Sequence, residues 1–166
     1  GSVQLLLATK TVTPAIIRQA LINKRNYVGE NKVQELTQKY PYLKSEDVEF
    51  HFIGHLQTNK VKEVTKYAHC IQSIDRIKLV QAIDRQMQKE GRSINVLLQV
   101  NTSYETSKFG IDPEDALSFA REVSAYDTLK VKGLMTIGLF SAEQEKVRKC
   151  FRLLRSLKEQ IVSLGL

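Results

Sequence analysis

Lys10 closes the short apolar run Leu5-Leu6-Leu7-Ala8-Thr9, and it is the residue in this chain best placed to do chemistry. At the mouth end of a buried strand an ammonium loses hydration, which favours the neutral amine. A neutral amine is a nucleophile toward aldehydes, the basis of Schiff-base chemistry. The alternative is that Lys10 snorkels out of the strand end into water. His51 and His55 are four residues apart but fall on a strand and its following turn, with no third ligand in view, so no metal site is expected. His51 is either a hydrogen-bonded core histidine or part of a binding rim. Asn31 opens a helix, where capping competes with ligand contact. Asn101 and Met135 stand at strand ends, although a methionine there also serves as a core filler. Lys108 reads as a surface lysine, and the His69-Cys70 neighbours do not form a catalytic dyad. Serine–histidine–aspartate or paired-carboxylate logic is absent, so no catalytic residue is assigned.

These residues need elements to hold them. Strand-like apolar runs occur at Val3–Thr9, Val48–Ile53, Asn95–Val100 and Val131–Ile137, with weaker ones near Tyr27-Val28 and Cys70–Ile74. Their near-continuous apolar character suits a parallel sheet covered on both faces. Helical spacing lies between them. Thr13-Pro14 starts a helix with Ile16, Ile17, Ala20 and Leu21 on one face. Val33, Leu36 and Tyr40 mark the next, followed by Val61, Val64 and Ala68, then Val80, Ile83 and Met87. Asp112-Pro113 opens a helix carrying Ala116, Phe119, Ala120 and Val123. Ser141 with Gln144 resembles a capping box before Val147, Phe151, Leu154, Ile161 and Leu164, and Gly165 ends that helix.

This is about six βα units with short connections, and residues 1–166 read as a single domain. A doubly wound dinucleotide sheet needs a glycine-rich first turn, whereas Lys10-Thr11-Val12-Thr13-Pro14 has no glycine. A (β/α)₈ barrel fits better, though six units are too few to close one. Functional groups in a barrel gather at the C-terminal strand ends. Here those ends are Lys10, Gly29-Glu30-Asn31, His51 to Gln57, Ser73-Ile74-Asp75, Gln99-Val100-Asn101 and Met135-Thr136-Ile137-Gly138.

Composition narrows the function classes. Hydrophobic residues make up 42% and charged residues 26%, as in an ordinary globular protein, and no apolar run reaches membrane-span length. The net charge of +7 favours anions, including a phosphorylated small molecule. The basic residues are spread over many helices without interleaved aromatics, so nucleic-acid binding is the weaker reading. Two distant cysteines, Cys70 and Cys150, give no disulfide framework and suit reduced thiols in the cytoplasm.

Ala8-Thr9-Lys10-Thr11, Gly29-Glu30-Asn31 with Val33-Gln34-Glu35, and the block from His51 to Lys60 resemble the pyridoxal phosphate homeostasis protein family. So do Ser73-Ile74-Asp75, Val100-Asn101 to Ser107-Lys108-Phe109-Gly110, and Gly133 to Ile137. The resemblance implies a (β/α)₈ TIM barrel of the alanine racemase N-terminal type. Its last two units and the family's phosphate-gripping segments are expected to be absent here. It implies that Lys10 holds pyridoxal 5′-phosphate (PLP) as a Schiff base, with Asn31, His51, Asn101 and Met135 at the cofactor and Lys108 a secondary trap. The implied role is intracellular vitamin B6 homeostasis without turnover, with PLP-dependent apoenzymes as candidate recipients and a monomeric or weakly dimeric chain. A racemase-like PLP enzyme is the alternative. It would need a second acid/base facing Lys10 across the substrate, which barrel-type racemases draw from a separate β-domain.

Overall fold

The computed structural model describes residues 3–21 and 25–166. Six parallel strands alternate with six helices: β1 (Leu6–Ala8), α1 (Pro14–Ala20), β2 (Asn26–Glu30), α2 (Val33–Leu43), β3 (Val48–Phe52), α3 (Val61–Tyr67), β4 (Cys70–Ile74), α4 (Ile77–Glu90), β5 (Ile94–Gln99), α5 (Ala116–Ser124), β6 (Leu129–Met135) and α6 (Gln144–Ser163). Single 3₁₀ turns, Thr58–Lys60 and Pro113–Asp115, lead into α3 and α5. Strand order follows chain order from β1 to β6, with β1 and β6 at the edges of the sheet among the described residues. This is an incomplete α/β barrel.

Alternation along the strands separates two faces. Val28, Phe50, Phe52, Ile71, Val96 and Leu98 face the helices and join Leu36, Val64, Leu79, Ile83, Met87 and Val123 in the main core. The opposite, concave face carries a row in register across five strands: Ala8, Gly29, His51, Cys70 and Asn95. The four middle helices bury the residues their spacing predicts: Leu36 on α2, Val61 and Val64 on α3, Val80, Ile83 and Met87 on α4, and Ala116, Phe119, Ala120 and Val123 on α5. At α1 only Ile17 is buried, and Ile16 faces water.

The capping expectation for α6 is corrected, and its buried face is redrawn. Ser141 and Gln144 form no capping box, because α6 starts at Gln144 itself and Ser141 Oγ accepts from the Glu143 amide. The buried stripe of α6 is Cys150, Leu157 and Ile161, while Phe151 and Leu164 are exposed. Ile161 is buried as its spacing predicts, but apolar side chains occupy adjacent positions of α6, and Cys150 takes the buried place that spacing gave to Phe151. Gly165 does end the helix, with φ +75° and its amide on the Val162 carbonyl.

Candidate functional site

Lys10 lies two residues past the concave-facing Ala8, in the turn that follows β1. It is exposed, so of the two readings the snorkelled one holds and the loss of hydration does not. The reason is that β1 is a three-residue edge strand, so at its end only Thr9, which turns to the helix side, is buried. Its side chain has no hydrogen-bond or ion-pair partner among the described residues, whereas both neighbours are tied down. The Thr9 amide donates to the Gly29 carbonyl at 3.0 Å and its hydroxyl to Glu30 Oε1 at 2.6 Å. The Thr11 amide donates to Glu35 Oε2 at 2.7 Å.

Sequence spacing did not single out the residues behind this end. Lys39 of α2 is buried, and its ammonium donates to the Thr9 carbonyl at 2.6 Å, Glu30 Oε1 at 2.7 Å and Glu35 Oε2 at 2.8 Å. Burial pulls Lys39 toward the neutral form, but its hydrogen bonds to Glu30 and Glu35 outweigh it and hold its pKa above the ordinary value. Glu35 is held below the usual carboxylate range, first by Lys39 and then by the Thr11 amide. Glu35 and Lys39 are four apart on a helix, a pairing legible in the sequence. That Lys39 would be buried was not, since it shares α2 with the buried Leu36 and Leu43.

Asn31 follows Glu30 in the bend after β2, where it lines a hollow with Lys32, Phe52 and His55. It does not cap α2, whose N-cap position is Lys32, without a side-chain bond. His51 sits inside the barrel. Gln72 Nε2 donates to His51 Nδ1 at 2.7 Å, His51 Nε2–H donates to Glu49 at 3.1 Å, and Tyr27 meets its ring edge-on at 5.6 Å. This pattern assigns the neutral Nε2–H tautomer. Burial lowers the His51 pKa, with Glu49 pulling the other way. His55 is separate from it, stacked on Phe109 at 4.0 Å. Among the described residues no cluster of histidine, cysteine and carboxylate groups could hold a metal ion. Cys70 is buried, which pushes its thiol up to about 12.

Asn101 is buried at the end of β5, but its amide is already used: Nδ2 donates to the Glu105 carbonyl and Oδ1 accepts from Ser103. Met135 pairs in register with Gln99 on the concave face. Lys108 is not a free surface lysine. It is half-buried, donating to the Gly138 carbonyl at 2.6 Å and paired with Glu105. Asp75 links the ends of β4 and β5 by accepting from the Gly110 amide at 3.1 Å.

Room and spare polarity both occur at this end. A Cβ on Gly29 would come within 2.5 Å of Leu6 and 2.9 Å of Ile53, so glycine lets those two side chains pack directly over the strand beside Lys10. Ser73 Oγ, near the end of β4, is buried without a hydrogen-bond partner among the described residues. A cavity of about 160 Å³ opens beside Gln99, Asn101, Lys108 and Thr136. A hollow of about 660 Å³ lies at the opposite end of the strands against Arg25, Lys66, His69 and Arg92. Its cations are engaged by Glu49, Glu63 and Glu90, and that end of a barrel serves stability.

The family described as "Alanine racemase, N-terminal domain" matches residues 12–165. A pyridoxal phosphate homeostasis protein of Aquifex aeolicus is 40% identical over 95% of this chain and 69% of its own length. One from Haemophilus influenzae is 37% identical over 96% and 70%. The chain belongs to the pyridoxal phosphate homeostasis protein family. Among solved structures, PipY of Synechococcus elongatus with PLP bound superposes with a TM-score of 0.85 at 28% identity, covering 97% of this chain and 76% of PipY. A Clostridium difficile alanine racemase, at 12% identity and a TM-score of 0.75 over 92% of this chain and 38% of its own, shares the fold. No helix among the described residues is long and apolar enough to cross a membrane.

Proposed function

We propose that this chain binds PLP covalently through Lys10 and acts as a cytoplasmic PLP carrier in vitamin B6 homeostasis, with residues 1–166 serving as one binding domain and apoenzymes as recipients. The observation that carries this reading is the lone amine of Lys10, exposed at the strand-end rim between two immobilised neighbours, in a chain of this family. When bound, PLP supplies an aldehyde that an amine captures and a ring that acts as an electron sink. The residues around Lys10 fit such a group. Gly29 admits Leu6 and Ile53 as an apolar wall beside it, Asn31 brings an amide to the same rim, and Ser73 has an unused hydroxyl. Met135 supplies apolar surface on the concave face. His51 lies deeper, where its neutral ring fills the barrel and shapes the floor beneath Lys10. Asn101 acts by bracing the loop after β5, since its amide is spent there.

Turnover is not part of the proposal, because racemisation needs a second proton-transfer group facing Lys10 across the substrate. Of the tyrosines, Tyr27 faces inward but enters at the start of β2, level with Leu6. Tyr40 and Tyr67 stack together on the helix side.

Reduction with borohydride after PLP addition, followed by mass mapping, should place the pyridoxyl group on Lys10, with the absorbance change lost in Lys10→Ala. A folded sample labelled mainly elsewhere overturns the assignment. Solvent deuterium exchange at an amino acid's Cα should not exceed that of free PLP. Robust exchange abolished by Lys10→Ala would make the protein an enzyme.

A further inference from the structure

The Lys39 network holds the backbone on both sides of Lys10 and leaves the Lys10 side chain itself untouched. On one side, Lys39 takes the Thr9 carbonyl while Glu30 takes the Thr9 hydroxyl. On the other, Glu35 takes the Thr11 amide. Thr11 has φ +63°, a left-handed conformation that a β-branched residue rarely adopts. Such a residue persists only where its surroundings over-determine it, and the Glu35 tether supplies that constraint. Glu30 is fully buried and one of its oxygens has no partner among the described residues, so the cluster is maintained against a desolvation cost. A surface ion pair would not need such an arrangement.

We propose that Lys39, acting through Glu30 and Glu35, is a positioning residue that fixes the Thr9–Thr11 backbone and so directs the Lys10 amine into the barrel mouth. This rests on Lys10 being the PLP-bearing residue. The clamp does not touch PLP. It removes backbone freedom at the strand end beforehand, leaving only side-chain rotation to be frozen when the amine reacts. Its output is selectivity for Lys10 over the chain's other lysines.

Lys39→Met strips the partner from two carboxylates and endangers the fold, so Glu35→Ala is the primary test. It leaves the Lys39–Glu30 pair in place and frees the Thr11 amide. Two quantities are measured on folded protein: hydrogen exchange at the Thr11 amide without PLP, and the fraction of borohydride-fixed pyridoxyl label found on Lys10. Glu35→Ala should speed Thr11 exchange about tenfold, the scale of one hydrogen bond, and spread label from Lys10 to other lysines. Glu35→Gln, which keeps a carbonyl for the Thr11 amide, should restore both. Unchanged exchange, or an unchanged Lys10 share, in a folded Glu35→Ala chain overturns the positioning role. Absence of Lys10 label in the wild-type chain, with Thr11 exchange still faster in Glu35→Ala, overturns the PLP reading alone.

Discussion

His51 takes its protonation state from burial, and that choice has a thermodynamic consequence. Its folded pKa lies below the ordinary value of 6.5, so between the two values the unfolded chain binds more protons than the folded one. Stability therefore falls as pH drops through about 6.5, and levels off below the folded value. Denaturant titrations at about pH 7.5, 6.5 and 5.5 should show this slope, and His51→Gln should remove it. A slope unchanged in His51→Gln would assign the proton uptake to another group. The Lys39 network does not confuse the measurement. Glu35, depressed by Lys39, gives stabilisation present above its ordinary 4.5 and lost as pH falls through its lower folded value. Lys39, raised, contributes below 10.5 and loses that contribution as pH rises through its folded value. In the sequence, Lys10 was recognisable from its place after an apolar run, and His51 from its place on a strand. The sequence left a dehydrated and a snorkelled Lys10 both open, because whether a strand is an edge depends on its neighbours.

Gly54 shows how closely the strand ends are packed. It stands two residues past β3, and a Cβ built there would fall 2.1 Å from the backbone carbonyl oxygen of Asn31. Backbone cannot swing aside as a side chain tip does, so Gly54→Ala must part the ends of β2 and β3. A loss of about 1–3 kcal/mol by denaturant unfolding is expected, with amide shift changes centred on Asn31 and Lys32. A neutral Gly54→Ala would show that the two ends are not in contact in solution. Element order was largely readable from alternation and helical spacing. Cys70–Ile74 was predicted and found with the same bounds, and the α4 face was found as expected. The ends of β1 were not. Val3–Thr9 shrinks to Leu6–Ala8, since among the described residues β1 has β2 as its only strand neighbour and Val3 and Leu5 remain exposed. Apolar composition says that a strand is favourable, while its length is set by the partner's ladder.

Across the sheet, protection from exchange should follow position rather than hydrophobicity. Strands β3, β4 and β5 each have two strand partners and helix cover, whereas β1 is a short edge. Amide exchange should be slowest in Phe50–Phe52, Ile71 and Val96–Leu98, and faster by at least about 100-fold in Leu6–Ala8. Uniform protection would mean that the edges are covered in solution. The sequential strand order also bears on how the protein is made. Every strand from β2 to β6 pairs with the one preceding it in the chain, so no ladder waits for a distant segment. Local pairing of this kind keeps loop-closure costs small. Synthesis delivers roughly 5–20 residues per second, slow compared with helix and loop formation. Each βα unit thus meets a finished neighbour as it leaves the ribosome, and the sheet grows on the nascent chain in the order of its codons.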